Sequence, residues 1–158
     1  MAALMSLMSP NWLAARLLAT LQPLFLLATR LYVSWEFLKS GRIKLTSWDT
    51  TIYLFENEYH TPLLSPHLAA VAGTAGELFF PLLLITGLAG RIGALGLFAV
   101  NALAVISYKH VLLTEGFEAA LGQHVLWGFM LALLAIVGPG RYSVDQLLVR
   151  RIGGSARI

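Results

Sequence analysis

The sequence predicts an all-α fold: an integral membrane four-helix bundle with a long outer loop after helix 1, forming a single membrane domain over residues 1–158. Three observations predict it. Hydrophobic residues make up 58% of the chain and charged ones only 12%, and the mean hydropathy of +0.74 lies well outside soluble-domain usage. Four stretches approach the roughly 20 apolar residues that cross a bilayer as helix. The basic residues behind the net charge of +3 flank those stretches instead of clustering, so they read as topology signals and not as a nucleic-acid surface.

The first span covers residues 17–38 and carries Gln22, Pro23, Arg30 and Glu36 within otherwise apolar sequence. The apolar residues before it lack a clustered basic region and a cleavage site, so this segment is expected to be retained. The second span covers 67–89 with one charge, Glu77, and the third covers 92–112 with one internal amide, Asn101. Only Gly90 and Arg91 separate these two, which predicts a tight hairpin. The fourth span covers 120–137 and stops at Gly138-Pro139-Gly140, where a helix cannot easily continue; a short basic tail follows. Small residues such as Ala69 with Gly73, Ala72 with Gly76, and Gly93 with Gly96 allow close helix approach.

Four spans put both chain ends and the Arg91 turn on one side. Arg16, Arg91, Arg141, Arg150, Arg151 and Arg157 lie there, against Lys39, Arg42, Lys44 and Lys109 opposite. The excess favours cytoplasmic termini in a bacterial cytoplasmic (inner) membrane. The long connection from Lys39 to Pro66 then faces outward. It interleaves Trp48, Ile52, Tyr53, Phe55 and Tyr59 with Asp49, Glu56, Glu58 and His60, a pattern suited to a short helix lying on the outer surface.

At about 1.5 Å rise per residue, Arg30 falls roughly 12 Å below the outer end of span one, Glu77 roughly 15 Å below the start of span two and Asn101 roughly 16 Å below the outer end of span three. An isolated charge at such depth costs at least about 2.5–3.5 kcal/mol, so opposite charges at one level are expected to meet. The expectation is an Arg30–Glu77 pair with Asn101 beside it. Pro81 removes the helix hydrogen bond to the Glu77 carbonyl and leaves a second acceptor for Arg30 or a ligand. A ligand cavity open to the outer side, lined by Arg30, Glu77, Asn101 and Trp127, follows from this arrangement. Trp35, Tyr108 and Trp127 can serve either as an interfacial belt or as a wall for a flat ring.

His60, His67, His110 and His124 all fall toward the outer side with Glu56, Glu58, Glu115 and Glu118, which makes a histidine–carboxylate metal site chemically feasible. Their spacing contains no local ligand pair. The absence of cysteine excludes dithiol exchange, thiolate metal sites, cysteine-ligated iron–sulfur clusters and thioether-linked haem.

Ordered stretches of the chain resemble the DoxX family of small four-helix bacterial membrane proteins. They are Arg30 followed by Ser40-Gly41-Arg42-Ile43-Lys44-Leu45; Ala72 to Leu78; Leu82 to Leu88, leading to Arg91; and Gly138 to Asp145. Arg30, Lys44 and Glu77 match family positions, whereas the histidines match no family motif. The resemblance implies a quinone- or redox-linked subunit of a membrane system, since some relatives are associated with terminal quinol oxidase or thiosulfate:quinone oxidoreductase. The segments 47–51 and 55–64 further resemble a DoxX subgroup encoded near peptide-modifying iron enzymes and small secreted metal-binding peptides. Quinone is therefore the first cofactor candidate and a metal ion the second. The alternatives are a non-catalytic membrane anchor or scaffold for a redox or metal-handling partner, and a small carrier. Expected partners are membrane lipid, quinone, and other protein subunits or further copies in a homo-oligomer, with no nucleic acid.

Overall fold

The structure is a computed structural model that describes residues 10–155, with side chains described from 12 to 152. Arg157, one of the basic residues counted toward the topology, lies outside the described residues. Six helices follow one another: α1 (Pro10–Thr46), α2 (Trp48–Asn57), α3 (Pro66–Thr86), α4 (Gly90–Leu112), α5 (Glu118–Val137) and α6 (Val144–Ser155). Four are long and apolar enough to cross a membrane, over Trp12–Thr46, Pro66–Thr86, Gly90–Leu112 and Glu118–Val137. This is an all-α four-helix membrane bundle with two additional short helices.

The long helices pack in sequence, α1 on α3, α3 on α4 and α4 on α5, with α5 returning to touch α1. Leu26, Val33, Phe37, Leu84, Ala94, Leu97, Leu131 and Leu134 form the common core. Glycines set the close approach of α3 to α4. A Cβ on Gly76 would lie 2.7 Å from a Val100 methyl, and one on Gly93 would lie 3.0 Å from the Leu84 backbone nitrogen.

The first helix departs from expectation by continuing eight residues past Leu38, to Thr46. Ser40-Gly41 does not end it because Gly41 is a packing position: an added Cβ would sit 2.9 Å from Leu78 and 3.1 Å from the Glu77 Cβ. Contact with α3 outweighs the roughly 1 kcal/mol that glycine costs a helix interior. The basic tail also contains a helix, α6, whose first turn carries Asp145.

The end of the bundle where α3 turns into α4 and α5 leads into α6 is its base. Arg30, 0% exposed, fills it. Its Nε donates to the Leu84 carbonyl at 2.7 Å and its Nη2 to that of Ile85 at 2.6 Å, while Nη1 reaches Pro139 and Tyr142 at 2.7 and 2.8 Å. Leu84 and Ile85 belong to the last turn of α3, whose carbonyls have no partners within the helix. The guanidinium caps α3 and ties the α5–α6 loop to it. Asp145 completes the base by accepting from the backbone N–H groups of Ala89 and Gly90 at 2.8 and 3.0 Å, as α4 begins. Its own N–H donates to the Gly87 carbonyl at 3.1 Å.

Gly87 ends α3 in the left-handed conformation, at φ +68°. A Cβ there would come within 2.5 Å of the Ser143 Cβ and 2.8 Å of Arg30 Nη2. Left-handed strain and overpacking together predict a loss of about 2–4 kcal/mol for Gly87→Ala. Thermal unfolding in mild detergent should show a clear drop for this variant and a much smaller one for Leu82→Ala, whose side chain is exposed. Equal transition temperatures would mean that the base does not hold the bundle together.

Candidate functional site

The opposite end of the bundle encloses a cavity of about 260 Å³. Its walls come from α1 (Ser40, Lys44), α2 (Phe55), the α2–α3 loop (Tyr59, Thr61), α3 (Gly73, Glu77), α4 (Ser107, Tyr108) and α5 (His124). Lys44 reaches it because α1 presents Arg30, Val33, Phe37, Ser40 and Lys44 at three- and four-residue intervals, which is one helical face. The ammonium donates to both carboxylate oxygens of Glu77 at 2.6 Å and to Ser40 Oγ at 3.0 Å. Ser40 in turn donates to Glu77 Oε1 at 3.2 Å. The Glu77 side chain is 8% exposed and that of Lys44 is 20% exposed, so the lysine has the more open position.

The expected surface helix exists as α2, and it is folded against α1 and α3. The Thr51 hydroxyl donates to the Lys44 carbonyl at 2.9 Å. Beyond α2, His60 N–H donates to the Ser107 carbonyl at 2.9 Å, and Ser107 Oγ donates to Thr61 Oγ1 at 3.0 Å. Ser107 lies five residues before the end of α4, so the loop enters the bundle mouth by roughly 7 Å. Phe55, Tyr59 and Tyr108 form an edge-to-face chain, with centroids 4.9 and 5.1 Å apart. Burial, then Tyr108 and the carboxylates Glu77 and Glu58, pushes the Tyr59 phenol above its ordinary range. It remains a protonated donor at neutral pH.

The expected Arg30–Glu77 pair is not formed. Because α1 ends at Thr46 and not at Leu38, Arg30 lies about 24 Å from its outer end, at the base. Four backbone carbonyls satisfy it, and Lys44 is the cation at Glu77. Arg30 therefore does not line the cavity, nor does it approach the Glu77 carbonyl freed by Pro81. Glu77 does line it. Asn101 stands behind the wall, donating through Nδ2 to the His124 carbonyl at 2.9 Å and meeting His124 Nδ1 through Oδ1 at 2.8 Å. It orients a histidine that faces the cavity. Trp127 packs edge-on against Phe37 and His124, and its indole nitrogen is buried without a hydrogen-bond partner among the described residues. Of the three aromatics considered as a ring wall, only Tyr108 lines the cavity; Trp35 is 57% exposed.

The histidines do not converge. His60 and His110 meet at the mouth with Nδ1 atoms 3.3 Å apart, His124 is engaged by Asn101, and His67 is exposed in the first turn of α3. Among the described residues, no three His, Cys, Asp or Glu side chains are placed to hold one metal ion.

Ser40 and Tyr59 are cavity residues that the sequence does not single out, and Lys44 stands out there only as a family position, not as the partner of Glu77. The helical spacing from Arg30 through Val33, Phe37 and Ser40 leads to Lys44 once α1 continues past Leu38. Tyr59 had no comparable signal, because its position depends on the fold of the mouth loop.

The buried pair predicts an asymmetric double-mutant cycle. Lys44→Met strands a nearly inaccessible carboxylate and should cost about 3–5 kcal/mol. Glu77→Gln should cost less, since the ammonium can turn toward the cavity, and the double variant should recover much of the loss. Asp49→Asn, at an exposed position on α2, should stay within about 0.5 kcal/mol of the parent. Additive losses in detergent unfolding would show that the two side chains are not coupled.

A family model for DoxX matches residues 25–110, more than half of the chain, from the middle of α1 almost to the end of α4. No curated protein and no solved structure gives a significant match. The matched range contains Arg30, Lys44 and Glu77, which hold the base and the cavity of a multi-pass membrane bundle, and the chain belongs to the DoxX family.

Proposed function

We propose that this protein is a quinone- or redox-linked membrane subunit that binds a quinone headgroup in the cavity beside Lys44 and Glu77. The observation that carries the reading is a buried, bidentate lysine–carboxylate pair opening onto a mostly apolar space. Binding sites commonly combine apolar walls with a few convergent polar groups. At about 260 Å³ the space suits one ring headgroup better than a drug-sized molecule, for which roughly 300–1,000 Å³ is usual. Phe55 and Tyr108 offer aromatic walls and the Tyr59 phenol offers a donor for a carbonyl oxygen, while Lys44 would offer a second by turning from Ser40.

A bound quinone supplies two-electron, two-proton redox chemistry. Tyr59 would orient the ring by donating to one oxygen, and Lys44 would donate to the other on giving up its bond to Ser40. Glu77, held by Lys44 and Ser40, would hold or release a proton beside them. The chain lacks cysteine, so a partner subunit is assigned the electrons. In a bacterial inner membrane with both termini cytoplasmic, the cavity opens outward. Reporter fusions at Asp49 and at the C-terminus should then report opposite sides, the C-terminal one cytoplasmic; swapped signals would reverse the orientation.

A water-soluble quinone headgroup analogue at about 100 times its dissociation constant should stabilise the detergent-solubilised protein by roughly 2.7 kcal/mol. Glu77→Gln and Lys44→Met should lose that gain, and Asp49→Asn should keep it. No gain in the parent protein, together with no quinone in its lipid extract, would reject the reading. A scaffold role would instead be supported if redox-partner capture were lost on changing Tyr53, whose side chain is 61% exposed on α2.

A further inference from the structure

At the base, on the side away from the core, α1, the α5–α6 loop and α6 enclose a groove of about 750 Å³. We propose that it binds the phosphate of an anionic phospholipid headgroup. Arg16, Arg141 and Arg150 line it, one from each of the three segments, beside Thr20, Tyr142 and Leu147; among the described residues no acidic side chain does. Among the described residues the salt bridges are Lys39–Glu36 and Lys44–Glu77, so none of the three arginines has a carboxylate partner. Asp145, in the first turn of α6, is engaged by the Ala89 and Gly90 N–H groups. Three cations drawn into one groove without a counter-charge call for an anion.

The residue type narrows the anion. Every lining cation is arginine, whose planar fork matches phosphate oxygens in a way that an ammonium does not. Depth narrows the source. Thr86, the last residue of α3, and Tyr142, just past the end of α5, line the groove, so it opens where these spans end, and Arg16 extends it outward along α1. That is the headgroup layer. The Arg16 guanidinium stacks 4.6 Å from the Trp12 ring centroid, an arrangement suited to the same layer. Leu18, Leu21 and Leu24 are exposed on α1 between Arg16 and the base of the bundle, which gives acyl chains an apolar path. The Tyr142 carbonyl is fixed by Arg30, so this part of the groove wall is preformed.

Native mass spectrometry and thermal unfolding in nanodiscs of phosphatidylcholine, with and without phosphatidylglycerol, test the proposal. Phosphatidylglycerol should be retained in preference to phosphatidylcholine and should raise the unfolding temperature. Each of Arg16→Gln, Arg141→Gln and Arg150→Gln should weaken retention about fivefold, and Arg→Lys should restore only part of it. Arg42→Gln, at the other end of α1, should leave it unchanged. Equal retention of the two lipids, unchanged retention in all three single variants, or an equal loss with Arg42→Gln would overturn the proposal. Stabilisation by inorganic phosphate or glycerol 3-phosphate as strong as that by the lipid would overturn the lipid assignment in favour of a soluble phosphate ligand.

Discussion

Arg30 is the constraint on which the rest of the structure depends. A permanent positive charge with no exposed surface is tolerated in a membrane bundle only when its N–H groups are satisfied, and here backbone carbonyls take four of the five. Those carbonyls come from the end of α3 and from the α5–α6 loop, so satisfying one side chain joins three segments. It also sets the register of α1 against α3. From Arg30, fourteen residues of helix carry the chain about 21 Å to Lys44, where Glu77 of α3 meets it. A sliding of α1 by one turn would break both contacts at once.

The spans were legible because lipid leaves few options. A run of some twenty apolar residues must form its own hydrogen bonds, so helix type follows from hydropathy alone. The burial and pairing of Glu77 were legible too, since a lone carboxylate in such a run needs a partner. The identity of that partner was not. Matching opposite charges by depth assumed that a buried charge requires a counter-charge, whereas Arg30 is satisfied by peptide carbonyls freed at a helix end. It also required a correct helix boundary, and Gly41 marked close packing instead of termination. The mouth was the least legible part, because the placement of Tyr59 and His60 depends on hydrogen bonds to α4 that no local pattern announces.

The two ends of the bundle are built on different principles. At the base, polar atoms are matched closely: Arg30, Asp145 and Ser143 all bond to backbone groups, and the glycines at 87, 138 and 140 adopt positive φ to admit them. Such saturation leaves little capacity for chemistry. At the cavity end, polar side chains meet one another across a void, and the elements that enclose it are a ten-residue helix and a loop. Short segments with few buried contacts open at lower free energy than packed spans. The fold therefore places its more loosely packed elements over the cavity beside Glu77, and its closely matched polar groups opposite.

The choice of cation at each end follows the same division. Arginine remains charged at every accessible pH and presents a fixed fork, which suits a position where four carbonyls must be held in one geometry. Lysine is a compact ammonium on a flexible stem and can exchange its proton when its surroundings require it. On α1 the arginine occupies the saturated base and the lysine the open cavity, on one helical face and fourteen residues apart. Exchanging the two would leave the base one flexible point charge for four acceptors and would put a larger planar cation where a compact ammonium fits. The order of these residues along one helix thus puts the fixed fork where four carbonyls must be held and the flexible ammonium where one carboxylate borders a cavity.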